Sequence, residues 1–322
     1  MKRIGSLVRG SNSGLGNMAW DFARHGLIHK TLIVKRRTEV VFPERFVNVR
    51  ECWQDSIDIN DVNWILTDID TLLIFENEYY NHLTHIAHKR GIRVVVMPMH
   101  EGTPWKEMYA DLWLCPSSLE YELPFTPKVR INVPVDTDFI IWKKRTIAKH
   151  FIHNTGRGGA NLRNGTVELL KAMDGVKSPI ELTIRSQSLP FNKGDLRISA
   201  ELKNVRNYWD MWLEGDVFIF PEKFNGLSLP IQEAVAAGYA VMVSDRKPFN
   251  EWLPKEMLIP IQSEQTMTMV NQFKSAILSP EDIAKHIDKW YNKDITKFSE
   301  WGKKWGEDNS WKVLKKQYED LL

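Results

Sequence analysis

Residues 221–243, PEKFNGLSLPIQEAVAAGYAVMV, read as the end of a strand, a loop, a short helix, a glycine stop and a β-rich strand. Ser228 is placed to cap the helix, and Pro230 falls in its first turn, where a missing N–H costs nothing. Gly238 ends the helix and Tyr239–Val243 supplies the next strand. Ile231, Ala234 and Val235 make an apolar helix face, and Glu233 lies among small and apolar neighbours. A carboxylate in such surroundings needs hydrogen-bond donors, because burying it unpaired costs several kcal/mol or shifts its pKa. Hydroxyls of a bound sugar or ribose are suitable donors.

Working outward, the rest of the chain reads as two α/β series. Ile4–Val8 is a short apolar strand followed by a Gly-rich turn, Gly10 to Gly16, and a helix over Asn17–His25. Further β-rich runs are Thr31–Val34, Trp64–Leu66, Leu72–Phe75, Val94–Met97 and Leu112–Cys115, with a helix over Tyr80–Lys89. A second series starts at Phe151–His153 and continues through a helix over Gly165–Met173, then Glu181–Ile184, Val217–Phe220 and Tyr239–Val243. Strands alternating with helices predict mainly parallel sheets covered on both faces. Charged, Trp-punctuated Asp138–Lys149 reads as the linker, and from about residue 263 the chain reads as helices.

The 221–243 stretch resembles the donor-site signature of retaining GT-B glycosyltransferases of the family 4 type. The match is carried by Pro221, Gly226, Leu229, Pro230, Glu233, Ala234, Gly238 and Val241. Gly226-Leu227-Ser228 stands where that family has Gly-Phe-Gly, and Asn225 stands where it has the first Glu of a pair whose second is Glu233. The sequence leaves open whether Glu222, three residues earlier, takes that carboxylate's place.

The resemblance implies an α/β GT-B architecture: two doubly wound Rossmann-like domains facing across a cleft. Residues 1–140 would form the acceptor-side domain and 141–307 the donor-binding domain, with 308–322 crossing back as a helix to the first. It implies a retaining, metal-independent transfer of a hexosyl or pentosyl group. The donor would be a nucleotide sugar such as a UDP- or GDP-sugar, with no further cofactor, and the acceptor a hydroxyl on a saccharide or small molecule. Glu233 would hold the ribose hydroxyls, while the backbone of Gly226, Leu227, Ser228 and Leu229, with Asn225 or Glu222, would orient the sugar. Gly14 and Gly16 resemble the Gly-rich loop that approaches the donor diphosphate. His100, just beyond a strand end in VVVMPMHEGTPW, resembles the family's His near the reacting centre or acceptor; a structural histidine is the competing reading.

The loop 153–166, HNTGRGGANLRNGT, follows a strand and precedes a helix, so its backbone N–H groups can face an anion. Arg157 and Arg163 add charge there, at positions where the family neutralises the diphosphate, although Asn164 replaces the second member of the family's basic pair.

Composition sets the limits. A chain of 322 residues, 43% hydrophobic and 26% charged, suggests two ordinary globular domains. No apolar run approaches the ~20 residues that span a bilayer, and Met1-Lys2-Arg3-Ile4 enters a strand with no signal-peptide core, so a cytoplasmic protein is expected. Two cysteines are too few for a disulfide framework. Asp68-Ile69-Asp70 matches the metal signature of the other large glycosyltransferase fold but reads as an Asp-rich turn, and the nine histidines show no ligand spacing. A nicotinamide enzyme is disfavoured, since G-x-G-x-x-G is absent. Two alternatives stay open: a catalytically silent binding protein, because of Asn225, and a transferase acting on 5-hydroxymethylated pyrimidines in DNA. Net charge of +2 and the Trp/Lys/Arg clusters at 142–145 and 301–305 permit DNA as a partner without requiring it.

Overall fold

The computed structural model describes residues 2–37, 39–156, 163–187, 194–202 and 207–322. It divides into two compact units, one of Met1–Pro134, Thr268–Asn271 and Trp311–Leu322, the other of Val135–Met267 and Gln272–Ser310.

The first unit runs β1 (Ile4–Val8), α1 (Gly14–Arg24), β2 (Lys30–Lys35), β3 (Val49–Trp53), α2 (Ile59–Leu66), β4 (Thr71–Phe75), α3 (Leu83–Lys89), β5 (Arg93–Met97), β6 (Leu112–Cys115), α4 (Ser118–Tyr121) and β7 (Lys128–Arg130). Its seven strands pair in parallel in the order β3-β2-β1-β4-β5-β6-β7. Central strands are buried on both faces: Leu72, Leu73 and Ile74 in β4 and Val94, Val95 and Val96 in β5 are inaccessible. This is the pattern of a parallel sheet covered on both sides. Trp64–Leu66, read above as a strand, is the last turn of α2. That helix starts at Asp58 with a reciprocal capping box to Asp61, and its Val62, Ile65 and Leu66 are buried at helical spacing.

The second unit holds β8 (His150–Gly156), α5 (Thr166–Ala172), β9 (Glu181–Ser186), β10 (Ile198–Leu202), β11 (Val217–Phe220), α6 (Leu229–Ala236), β12 (Ala240–Ser244), β13 (Leu258–Ile259), β14 (Ser263–Thr268), β15 (Gln272–Ile277), α7 (Pro280–Trp290) and α8 (Thr296–Asp308). Six strands pair in parallel as β10-β9-β8-β11-β12-β13. β14 and β15 form a separate two-stranded ribbon where helices were expected. β14 is almost wholly exposed, so it carries no apolar alternation that a sequence reading could detect.

Residues 138–149 are not a free linker. Arg145, 2% exposed, donates to the carbonyls of Gly215 (2.7 Å), Trp212 (2.9 Å), Lys143 (3.0 Å) and Ala237, and its guanidinium lies 3.7 Å from the Tyr239 ring centroid. A buried guanidinium is tolerated when its N–H groups are satisfied in this way. Trp142 Nε1 donates to Ser299 O at 3.0 Å, anchoring the segment on α8.

The last helix, α9 (Trp311–Leu321), belongs to the first unit. Phe22 of α1 meets Trp311 and Tyr318 edge-on, with ring centroids 5.0 and 4.9 Å apart. Tyr318 Oη donates to Asn132 O at 3.0 Å, and Thr71 Oγ1 to Leu322 O at 3.0 Å. Among the described residues no helix is long and apolar enough to cross a membrane.

Candidate functional site

In the second unit, the two loops singled out by sequence meet beyond the carboxyl ends of β8 and β11. The Lys223 N–H donates to Arg163 O at 2.8 Å, and a side chain on Gly165 (φ +67°) would collide with the carbonyl of Pro221. That close approach is why a glycine stands there. Arg163 Nε lies 3.7 Å from Glu222 Oε1, its guanidinium 5.5 Å from the Phe224 ring centroid, with the side chain about one-third exposed. Glu222, 1% exposed, accepts from Asn225 Nδ2 at 2.9 Å. Asn225 Oδ1 in turn receives the Leu227 N–H at 3.4 Å, and Asn225 O receives Arg246 Nη1 at 3.3 Å. Glu222 and Asn225 are therefore hydrogen-bonded to each other and joined to Arg163 by an ion pair, with buried Arg246 behind them. Arg157 lies outside the described residues.

The turn over Gly226, Leu227 and Ser228 is buried and leads into α6 at Leu229. Ser228 occupies the N-cap position, but its side chain makes no capping hydrogen bond, contrary to the sequence reading. Pro230 in the first turn starts the helix without it. Glu233 is 5% exposed, and Tyr208 Oη donates to its Oε2 at 2.6 Å. Burial raises its pKa to about 7, with the Tyr208 hydroxyl and the nearby Trp212 indole pulling the other way. The indole N–H is close enough to favour ionisation but reaches hydrogen-bonding geometry with no acceptor among the described residues. A hydroxyl donor to this buried carboxylate favours its charged form, against the effect of burial.

Sequence reasoning missed several polar groups here. Tyr208 is 25 residues from Glu233 in a short 3-10 turn, with no pattern to announce it. Among the described residues, Asn154, in the last half of β8 beside a register shift and 8% exposed, has neither amide atom hydrogen-bonded, and Ser244, at the end of β12 and fully buried, has no partner for its hydroxyl. Unpaired polar atoms of this kind are uncommon in interiors and call for a water or ligand partner. Asn154 lay within the quoted 153–166 stretch, whose first residues the structure places in β8 rather than in the loop.

His153 is structural. It is fully buried, Nδ1 faces Ile219 O at 2.8 Å and Nε2 faces Thr166 Oγ1 at 2.8 Å, and burial lowers its pKa to about 4. The carbonyl accepts only, so Nδ1 carries the proton and Nε2 accepts from the threonine.

In the first unit, Ser13 caps α1, its Oγ accepting from Gly16 N at 3.1 Å. A side chain on Gly16 would strike the Ser11 carbonyl, whereas Gly14 faces open space. His100 is half-buried in the turn after β5. Its N–H donates to Glu120 Oε1 at 3.0 Å and its carbonyl accepts from Asn271 Nδ2 at 2.9 Å. Glu120 is fully buried, also accepts from Ser117 Oγ, and is pushed up to about 7 by burial. The Asp-x-Asp pair lies in the turn between α2 and β4: Asp68 has φ +55° and Asp70 Oδ2 accepts from Arg3 N at 2.7 Å. Among the described residues no group of three or more His, Cys, Asp or Glu side chains could hold a metal.

No protein-family model and no curated protein matches this sequence. Solved structures do. The chain is similar to Anabaena HepE in complex with UDP-glucose, with a TM-score of 0.73 at 10% identity, over 100% of this chain and 99% of that one. The fold is GT-B. A sucrose-phosphate synthase from Thermosynechococcus elongatus shares it with a TM-score of 0.66 at 12% identity, over 100% and 98% of the two chains. So does the lipopolysaccharide outer core galactosyltransferase WaaB, at 0.65 and 10%, over 99% and 98%. Within the GT-B fold of this chain, the Arg163–Glu222–Asn225 group and Glu233 both lie in the second Rossmann-like unit, and Gly14, Gly16 and His100 in the first.

Proposed function

We propose that this protein is a retaining glycosyltransferase that moves a sugar from a nucleotide-sugar donor to a hydroxyl acceptor, working in the cytoplasm without a metal. The observation that carries the reading is the convergence of Arg163 with the Glu222–Asn225 turn at the carboxyl edge of a parallel sheet, with buried Glu233 on the helix that follows. Open α/β sheets bind their ligands at that edge. The two free, buried cysteines fit a reducing compartment.

Glu233 holds the ribose hydroxyls in this reading, and Arg163 stabilises the diphosphate as negative charge develops on it. The Gly226–Leu229 backbone and Asn225 orient the sugar, and His100 serves the acceptor side. The bond between the anomeric carbon and the diphosphate oxygen breaks as the acceptor oxygen bonds to the same face. The acceptor's proton passes to the departing phosphate oxygen. Glu222 takes over the place of the missing first carboxylate indirectly, by fixing Arg163 and Asn225.

The test is calorimetric binding of UDP and GDP in excess chelator, to the native protein and to Glu233→Gln. Binding of one nucleotide should survive the chelator and weaken about ten- to a hundredfold in the variant, the worth of a charged hydrogen bond of about 1.5–3 kcal/mol. Unchanged affinity in a folded variant removes Glu233 from the site, and metal-restorable loss in chelator overturns the metal-free mechanism.

A further inference from the structure

A second polar site lies in the first unit, at the carboxyl ends of β1, β2 and β3, and uses none of Arg163, Glu222, Asn225, Glu233 or His100. Parallel register places Lys35 beside Trp53, so Arg36 and Arg37 leave β2 next to Gln54 and Asp55, which leave β3. Together these six residues line an open pocket of about 310 Å³.

The charges there are not balanced. Lys35 pairs with Glu51 at 3.0 Å and Arg37 with Asp55 at 3.3 Å, both members of the latter pair being well exposed. Two guanidinium groups remain. Arg9, 6% exposed at the end of β1, donates through Nη2 to Gln54 Oε1 at 2.9 Å, reaches Val34 O at 3.4 Å and lies 4.4 Å from the Tyr79 ring centroid. Arg36 donates through Nε to the same Gln54 Oε1, also at 2.9 Å. Among the described residues neither has a carboxylate within ion-pair distance, so two cations converge on one neutral oxygen. A buried guanidinium normally takes a carboxylate, or satisfies its donors fully with carbonyls as Arg145 does in the second unit. Here one amide oxygen accepts from both, Arg9 buried beneath it and Arg36 exposed at the pocket, and a guanidinium fork matches the geometry of phosphate oxygens. Trp53, 45% exposed, adds an aromatic wall with Lys35 Nζ 4.5 Å from its ring centroid.

We propose that this pocket binds the phosphate group of a phosphate-bearing ligand, held by Arg36 beside Gln54, which buried Arg9 fixes from behind. The site concerns binding alone and holds whether or not the protein transfers sugar. Its volume leaves room beside the phosphate for a small attached group lying against Trp53.

The experiment titrates inorganic phosphate, glucose 6-phosphate and glucose into the native protein, Arg36→Gln and Gln54→Glu. Gln54→Glu keeps the shape and places a carboxylate between the two guanidiniums, so it should fold with a melting temperature at least that of the native protein. Native protein should bind phosphate and glucose 6-phosphate but not glucose, and each substitution should weaken both about tenfold or more. Tighter binding of glucose 6-phosphate than of phosphate identifies a phosphorylated saccharide as the ligand; equal binding identifies the phosphate group alone. Affinity that survives both substitutions belongs to another site and overturns the proposal, as does failure of the native protein to bind phosphate at all.

Discussion

Glu120 and Glu233 are both buried carboxyls whose folded pKa is pushed up to about 7, from an ordinary value of 4.5. In the unfolded chain each ionises near its ordinary value, while in the folded protein each keeps its proton to near neutrality. Between about pH 4.5 and 7 the native state therefore binds more protons, and stability falls as pH rises through that window. The stabilising contribution is complete below the unfolded pKa and lost above the folded one. For Glu233 the shift corresponds to on the order of 3 kcal/mol. His153 runs the other way: its folded pKa is lowered to about 4, so it destabilises the fold as pH drops below its ordinary range. Glu233→Gln removes the titration but keeps an acceptor for Tyr208. The variant should thus lose less melting temperature than the native protein between pH 5 and pH 8, and be at least as stable at pH 8. An identical pH dependence in the two proteins would mean that Glu233 is ionised throughout.

At the scale of elements, legibility followed burial. The β11–α6–β12 unit could be read almost to the residue because its strands are apolar, its helix has Pro230 in its first turn and its stop is Gly238 at φ +89°. The β14–β15 ribbon could not be read, because an exposed ribbon has no core face to imprint on the sequence. Arg145 misled in the opposite sense: a charged run looks solvated, and nothing local reveals the three carbonyls brought in from Trp212, Gly215 and Ala237. In the candidate site, Glu233 and the Arg163 loop were visible as motif residues, whereas Tyr208 and Ser244 arrive through tertiary folding alone. The start of α1 shows two glycines of one motif doing different work. Gly16 packs so closely on the Ser11 carbonyl that a methyl group cannot be placed without moving backbone, while Gly14 meets nothing. Gly16→Ala should destabilise the first unit by more than about 2 kcal/mol, as strained backbone positions do. Gly14→Ala should be neutral, or stabilise by up to about 1 kcal/mol through helix propensity. Chemical denaturation of the two variants checks this, and equal effects would show that Gly16 is not held against Ser11.

For the molecule as a whole, each Rossmann-like unit has its own buried parallel sheet, yet the first is completed by a helix that starts at Trp311, far along the chain from its last strand at Lys128–Arg130. That helix is part of the core. Tyr318 is fully buried, its ring 4.9 Å from that of Phe22 and its hydroxyl on Asn132, while Arg93 Nη1 holds the carbonyls of Leu321 (2.6 Å) and Leu322 (3.0 Å). Truncating a buried aromatic ring costs about 3–5 kcal/mol through lost burial and the cavity left behind. Tyr318→Ala should therefore raise amide hydrogen exchange in β1, β4 and β5 of the first unit. Protection in β8, β11 and β12, whose partners all lie in the second unit, should stay near the native level. Tyr318→Phe, which keeps the ring and loses only the bond to Asn132, should cost about 1 kcal/mol and leave the exchange pattern almost native. If Tyr318→Ala instead deprotects both sheets equally, the two units unfold as one cooperative block and the helix supports the whole chain rather than its first unit.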